Sequence, residues 1–348
     1  MAPQPWIRPR LAEALRIGPE ALNELLVVSS LDNGPLAERT AYVMRHPSRV
    51  DLATVAELRQ AMDSLGERYD RVPSATLLVR AAEHTSQVAF LAGEAPLGRV
   101  QREMHMLQTD AVTLMGQLVW DASQRRDHAT ARSYYAQSAE VARHLGDSNA
   151  EGHALLRTCY VALYGANDYQ EGLDLAMRAA CTTRRTSHVL AGLAMLHAGE
   201  AHAYLGAEGE CERALMGAER HLSRAHGADA AHELFSPTHF ARLAGSCYLS
   251  LGKYRKAAEL LAHAAAELHD RRKSRAIVLG NLSLAHIRCG DLDAALTAFD
   301  DAVSELNSTR GGGGMNIAFR AAREMRPWRN EPPVQDAQDR LMALMEAA

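Results

Sequence analysis

The chain has 348 residues, 47% of them apolar and only 5% aromatic, with 38 Lys and Arg against 42 Asp and Glu for a formal net charge of −4. A composition rich in Ala and Leu and poor in aromatics suits close helix packing and argues against a β-rich fold. The balanced charge excludes a global attraction to nucleic acid or anionic membrane, and no apolar run approaches membrane-spanning length.

At the start, Met1 to Arg10 is polar and Pro-rich without the apolar core of a signal peptide, so a cytoplasmic location is expected. Next come Pro5-Trp6-Ile7-Arg8-Pro9-Arg10-Leu11-Ala12-Glu13-Ala14-Leu15 and Gly18-Pro19-Glu20-Ala21-Leu22. This pair resembles the last part of a Cro/repressor-type (XRE) helix-turn-helix domain. In that family a helix ending Leu-Ala-x-Ala-Leu is followed by a short helix started by Pro-Glu. Residues 1–31 are therefore expected to be a remnant of such a domain, without its scaffold helix, turn pair and recognition helix. Their charges balance, Arg8, Arg10 and Arg16 against Glu13, Glu20 and Glu24. With no recognition helix and no basic patch, direct DNA binding is not expected.

Residues 32–110 predict degenerate helix pairs. Leu52, Val55, Leu58, Met62 and Leu65 fall at helical spacing, as do Leu77, Leu78, Ala81, Val88 and Leu91 in a segment opened by Pro73-Ser74. Gly93 to Pro96 is a break, and Leu97 is expected to begin a long helix towards Asp121.

Residues 111–310 carry the strongest pattern. Ala244-Gly245, Tyr248, Gly252-Lys253-Tyr254, Ala257, Leu261 and Ala264 are matched at the same offsets by Leu282-Ser283, His286, Gly290-Asp291-Leu292, Ala295, Phe299 and Ala302. Small residue, large residue, Gly turn, then Ala, large residue, Ala is the pattern of a tetratricopeptide (TPR) helix–turn–helix unit. The second-helix small residue recurs as Ala131, Gly172, Ala214, Ala257 and Ala295, in steps of 41, 42, 43 and 38 residues. Turn signals precede each anchor: Arg126-Asp127-His128, Asn167-Asp168-Tyr169, Gly209-Glu210-Cys211, Gly252-Lys253-Tyr254 and Gly290-Asp291-Leu292. Gly or Asn there ends one helix in the left-handed conformation, and Asp caps the next. The predicted fold is an all-α, right-handed TPR-like solenoid of antiparallel helix pairs. Residues 311–348 then predict a glycine break at Gly311 to Gly314, which a helix interior would not tolerate, followed by C-terminal capping helices at Met315 to Met325 and Val334 to Met345.

Long-period TPR-like repeats behind the 1–31 motif resemble the actinobacterial XRE-type transcriptional regulators, as does the tail Met325-Arg326-Pro327-Trp328-Arg329. The layout also resembles the peptide-pheromone sensors of Gram-positive bacteria, in which a TPR superhelix holds a short peptide in its concave groove. These resemblances imply a regulatory protein that binds a peptide, protein or small effector, with a homodimer among the assemblies they allow. The alternative is a constitutive protein–protein interaction scaffold with no effector.

Placing each anchor at repeat position 20 turns Trp120, Arg157, Tyr164, His239 and Arg242 towards the groove, with Asn281 at a sixth position. Asn bridges a peptide N–H and C=O, Arg pairs with carboxylates, and Trp and Tyr supply amphipathic area. Metal and cofactor sites are not expected. His197-x-x-Glu200-x-His202 lacks the i, i+4 histidine spacing of a helical zinc motif, and His286 with Cys289 has no third ligand in view. The five cysteines, Cys159, Cys181, Cys211, Cys247 and Cys289, include no CxxC pair and read as buried free thiols. The run Arg271-Arg272-Lys273 reads as a loop between units with modest phosphate affinity, and Arg320, Arg323, Arg326, Arg329 as a solvated helix face. No nucleophile elbow, Walker loop or dinucleotide fingerprint is present, so no catalytic residues are expected.

Overall fold

A computed structural model of the chain describes residues 35–346 other than 235 and 237. The proposed helix-turn-helix remnant at 1–31 lies outside the described residues. Among them the elements are fifteen α-helices with short 3-10 and π turns, and no strand. The fold is all-α and TPR-like, made of antiparallel helix pairs. It divides into two compact units, the first running to Arg157 and the second from Thr158 onward, with Asp70–Val72 grouped with the second.

The first unit holds α1 (Pro35–Arg45), α2 (Leu52–Tyr69), α3 (Leu78–Glu94), α4 (Arg99–Ala122), α5 (His128–Leu145) and most of α6 (Ser148–Val161). The long α4 packs against α2, α3 and α5. Val43, Val50, Val55, Leu58, Val88, Leu91, Met104 and Leu107 form one buried cluster. The apolar spacing read in sequence meets this core: Leu77, Leu78, Ala81, Val88 and Leu91 are all buried. Two positions depart from it. Leu52 is the first residue of α2 and exposed, because the core starts one turn further in. Leu97 does not begin a helix; it stands 89% exposed in the α3–α4 turn, and α4 starts at Arg99 after Gly98 at φ +105°. Two pairs of buried polar groups meet across helices: the Ser74 hydroxyl donates to Asp121 at 2.7 Å, and the Thr113 and Ser138 hydroxyls meet at 2.9 Å.

In the second unit a π turn at Ala162–Ala166 is followed by α7 (Tyr169–Thr183), α8 (His188–Tyr204), α9 (Glu208–Leu222), α10 (Thr238–Ser250), α11 (Tyr254–Glu267), α12 (Arg272–Cys289), α13 (Leu292–Thr309), α14 (Gly312–Glu324) and α15 (Pro332–Glu346). The contacts repeat from pair to pair. The first helix of a pair touches its own second helix (α8 with α9, α10 with α11, α12 with α13). First helices also touch each other in succession, α8 with α10, α10 with α12 and α12 with α14, so they form a continuous layer.

The anchors are buried as the repeat requires: Ala131, Ala257 and Ala295 at 0% exposure, Ala214 at 5%, and Gly172 also buried. At Gly172 the approach is closest, since a Cβ there would lie 2.3 Å from Leu163 Cδ2 and 2.7 Å from its Cγ. The same closeness recurs where a Cβ on Gly245 would meet Leu261 at 2.8 Å and one on Gly280 would meet Ile317 at 2.6 Å. The expected caps form too. The Asp127, Asp168 and Asp291 carboxylates accept from the N–H groups of Thr130, Glu171 and Ala294, while Asn167 and Gly290 end their helices left-handed.

Two sequence expectations are corrected. The third turn lies at Gly206 (φ +74°), not at Gly209, which falls inside the first turn of α9; Gly206 is the residue free to take the left-handed conformation. The glycines Gly311 to Gly314 are not a break. Gly311 caps α14 and Gly312 to Gly314 form its buried first turn, where a Cβ on Gly314 would lie 2.8 Å from Leu306 Cδ2 and 3.0 Å from Ala276 Cβ. Contact with α12 and α13 outweighs the low helix propensity of glycine, which costs about 1 kcal/mol per residue.

Gly172→Val is expected to lower the unfolding free energy by about 2 kcal/mol, because Leu163 is 1% exposed and has no room to swing away. In a Leu163→Ala background the same change is expected to cost clearly less, read by chemical denaturation as a double-mutant cycle. Asp168→Ala and Asp291→Ala are each expected to cost about 1 kcal/mol through loss of the cap, read the same way.

Candidate functional site

Helix α8 is apolar nearly all round and buried from Val189 to Ala203 on almost every side, as befits a central helix of a layer. Against that background Glu200 and His197 are 2% and 3% exposed. A carboxylate so placed is tolerated only with partners, and Tyr164 at the π turn supplies one. The Tyr164 hydroxyl donates to Glu200 and lies 2.7 Å from His197 Nδ1, which is itself 2.9 Å from Glu200 Oε2. With the Tyr164 O–H directed at Glu200, the network assigns the His197 proton to Nδ1. The Tyr160 ring flanks His197 at a centroid distance of 4.4 Å. Burial, reinforced by the Glu200 charge, raises the Tyr164 phenol well above its usual range, so it stays a donor. Tyr204, one turn beyond Glu200, is raised by the same two causes, stacks on Tyr169 at 4.6 Å and lies within hydrogen-bond reach of Ser246 on α10.

Helix α10 continues the polar row. His239 and Arg242 are one turn apart and half-buried. His239 Nδ1 and Arg242 Nε are buried atoms with no hydrogen-bond partner among the described residues. Burial first, then the charges of Arg242 and Arg271 and the neighbouring His197, push His239 down to about 3, so its ring is neutral at pH 7. Asn281 follows on α12, half-buried. It stands fourteen residues before Ala295, as Glu200 stands fourteen before Ala214, so the two share a register position in successive repeats.

Of the six residues expected to line a groove, Tyr164, His239, Arg242 and Asn281 thus lie on the helices of this layer or at its edge. The Tyr164 hydroxyl is already engaged within the protein. Trp120 and Arg157 belong to the first unit. Trp120 is 5% exposed, with Arg125 stacked 4.7 Å above its ring and Nε1 without a hydrogen-bond partner among the described residues. Arg157 Nε donates to His153 Nε2 at 3.1 Å. Glu200 and His197 were weighed in sequence only as metal ligands, and Tyr160 and Tyr204 were not singled out. The available signal was a charge inside an otherwise apolar helix.

Other sequence candidates fall outside this row. His286 is half-buried and Cys289 exposed, and the described residues contain no cluster of three or more His, Cys, Asp or Glu groups able to hold a metal ion. All five cysteines are free; Cys159, Cys211 and Cys247 are buried, whereas Cys181 and Cys289 are exposed, contrary to the expectation of five buried thiols. The arginine run does not share one helix face: α14 ends at Glu324, which pairs with Arg288 at 2.7 Å and Arg320 at 3.5 Å, and Arg326 falls in a 3-10 turn. A shallow pocket of about 500 Å³ on the second unit is lined by Lys253, Tyr254, Arg255, Lys256 and Arg288 with Gly252 and Cys289. No described helix is long and apolar enough to cross a membrane.

The helix pairs, their small-residue contacts and the polar first-helix layer define a helical-repeat protein of TPR-like fold. Among solved structures the chain is similar to the apo form of the quorum sensor NprR from B. thuringiensis, at 12% identity and a TM-score of 0.45, covering 97% of this chain and 99% of that one. No protein-family model and no curated protein sequence matches it.

His239→Gln is expected to change the acid sensitivity of folding. A histidine whose folded value lies near 3 stays neutral while the unfolded chain takes up a proton below about 6.5. Stability therefore falls as pH drops through that window, because the unfolded state binds more protons. Between pH 7 and 5 the variant is expected to lose about 1–2 kcal/mol less than the parent, measured by denaturant titration at both pH values. Tyr164→Phe is expected to destabilise by about 1–3 kcal/mol by withdrawing the donor from buried Glu200.

Proposed function

We propose that this chain is a helical-repeat regulatory protein that binds a peptide, a protein segment or a small effector on the concave face of its first-helix layer. The observation that supports this reading best is the polar row of the second unit: Tyr164, His197 and Glu200, then His239 and Arg242, then Asn281. A layer serving stability alone gains nothing from buried donors without partners, since each costs about 1–3 kcal/mol. A groove kept ready for a ligand gains recognition from them.

The motif at 5–22 and the long-period repeats support a finer version, a relative of the actinobacterial XRE-type regulators that works in the cytoplasm and passes its state to a protein partner or a second copy. Stacked pairs respond to a ligand by small rotations that add along the array, so ligand binding shifts the population of array shapes. Fold-level likeness does not enter this reading; it rests on the row of side chains.

Thermal unfolding of the purified chain against a size-fractionated cell extract tests the proposal, because ligands of the native state raise the melting temperature. A reproducible upward shift from a low-mass or peptide fraction, lost in Arg242→Ala and Asn281→Ala, is the expected result. Shifts from high-mass fractions alone, untouched by those substitutions, overturn it in favour of a constitutive scaffold.

A further inference from the structure

We infer that His239 and Arg242 on α10 form an anchor for a carboxylate, so that the ligand proposed for the first-helix layer enters this site as a monoanion. The inference rests on the groove reading above and names the chemistry that reading leaves open.

The buried acid nearest in the row does not serve Arg242. Glu200 accepts from Tyr164 and from His197 Nδ1, not from a donor on α10. Arg242 Nε is buried without a hydrogen-bond partner among the described residues, and so is His239 Nδ1 one helical turn away. A buried Nε without a partner leaves one edge of the guanidinium to an acceptor with charge, and the planar fork of arginine fits a carboxylate with two parallel hydrogen bonds. The neutral imidazole beside it supplies one further hydrogen bond without a second charge.

The charge count selects among anions. The site offers one half-buried cation, Arg242, while Arg271 is exposed. Arg271 is near enough to weigh on the protonation of His239 but is screened by solvent. One inner positive charge compensates one negative charge, which a carboxylate carries. A phosphate dianion brings a second charge that no half-buried cation at the site answers. The exposed guanidinium suits attraction of the anion towards the site.

Two sources supply such a group, the end of a peptide and a small organic acid, and one experiment separates them. The full chain is melted with a pool of seven-residue peptides bearing free C-terminal carboxylates, with the same pool as C-terminal amides, and with succinate and benzoate. The free-acid pool is expected to raise the unfolding temperature by about 3 °C and the amide pool to leave it unchanged. Arg242→Gln is expected to abolish the shift while keeping a cooperative melt. The exposed Arg271→Gln, which leaves the interior untouched, is expected to reduce it. Equal shifts from acid and amide pools overturn the carboxylate anchor and leave the groove reading standing. Shifts from the small acids alone, lost in Arg242→Gln, keep the anchor and remove the peptide. No shift from any probe, or a shift indifferent to both substitutions, overturns the inference.

Discussion

The spacing of helix axes at a few small residues is the constraint on which the remaining structure depends. Where Gly172 faces Leu163, Gly245 faces Leu261 and Gly280 faces Ile317, a single added Cβ would meet carbon at less than 3 Å. Interiors packed to crystal-like density pass such strain on to their neighbours. The anchors therefore set more than the local fit. They fix how far each first helix lies from its partner and from the next first helix, and so the distances at which side chains on successive helices meet. Gly172 on α7 packs on Leu163, the neighbour of Tyr164, and Tyr164 reaches His197 and Glu200 on α8.

Such packing leaves little tolerance for polar groups, which makes those present informative. In the first unit the buried hydroxyls of Ser74, Thr113 and Ser138 are paired. In the second unit Glu305 takes Arg272 at 3.0 Å and Arg275 at 2.5 Å, tying α12 to α13. Among the described residues His84 Nε2, Trp120 Nε1 and one oxygen of Glu57 also lack hydrogen-bond partners; His239 Nδ1 and Arg242 Nε differ in lying one turn apart on a single first helix. The two sets on the first-helix layer also differ in kind. Tyr164, His197 and Glu200 hydrogen-bond to one another, whereas His239 Nδ1 and Arg242 Nε have no hydrogen-bond partner among the described residues.

The glycine run and the third turn show how local rules are overruled. Taken alone, four glycines mark a place where helix is disfavoured. Packed between Leu306 and Ala276, they are the residues that let the N-terminus of α14 approach at all. At the third turn both Gly206 and Gly209 were available, and helix α9 begins early enough to enclose the second. The first outcome depends on what lies opposite the glycines; the second depends on where α9 begins, with open space around a left-handed Gly206.

The amino-acid sequence by itself determined the repeating helix pairs, the Asp-capped turns and the buried small residues, because repeat periodicity, Asp caps and left-handed Gly or Asn are local signals read within a turn or two of chain. It also pointed to Tyr164, His239, Arg242 and Asn281, since repeat register alone puts them on first helices. Tertiary structure decided which of these groups are answered. The Tyr164–His197–Glu200 cluster joins residues 33 and 36 apart in sequence, and nothing in the spacing of α8 announces that its buried acid would find a tyrosine on another helix. The unmet Arg242 Nε, without a partner among the described residues, has the same origin. Whether a guanidinium has a partner is a property of the space around it, and only the packed layer defines that space.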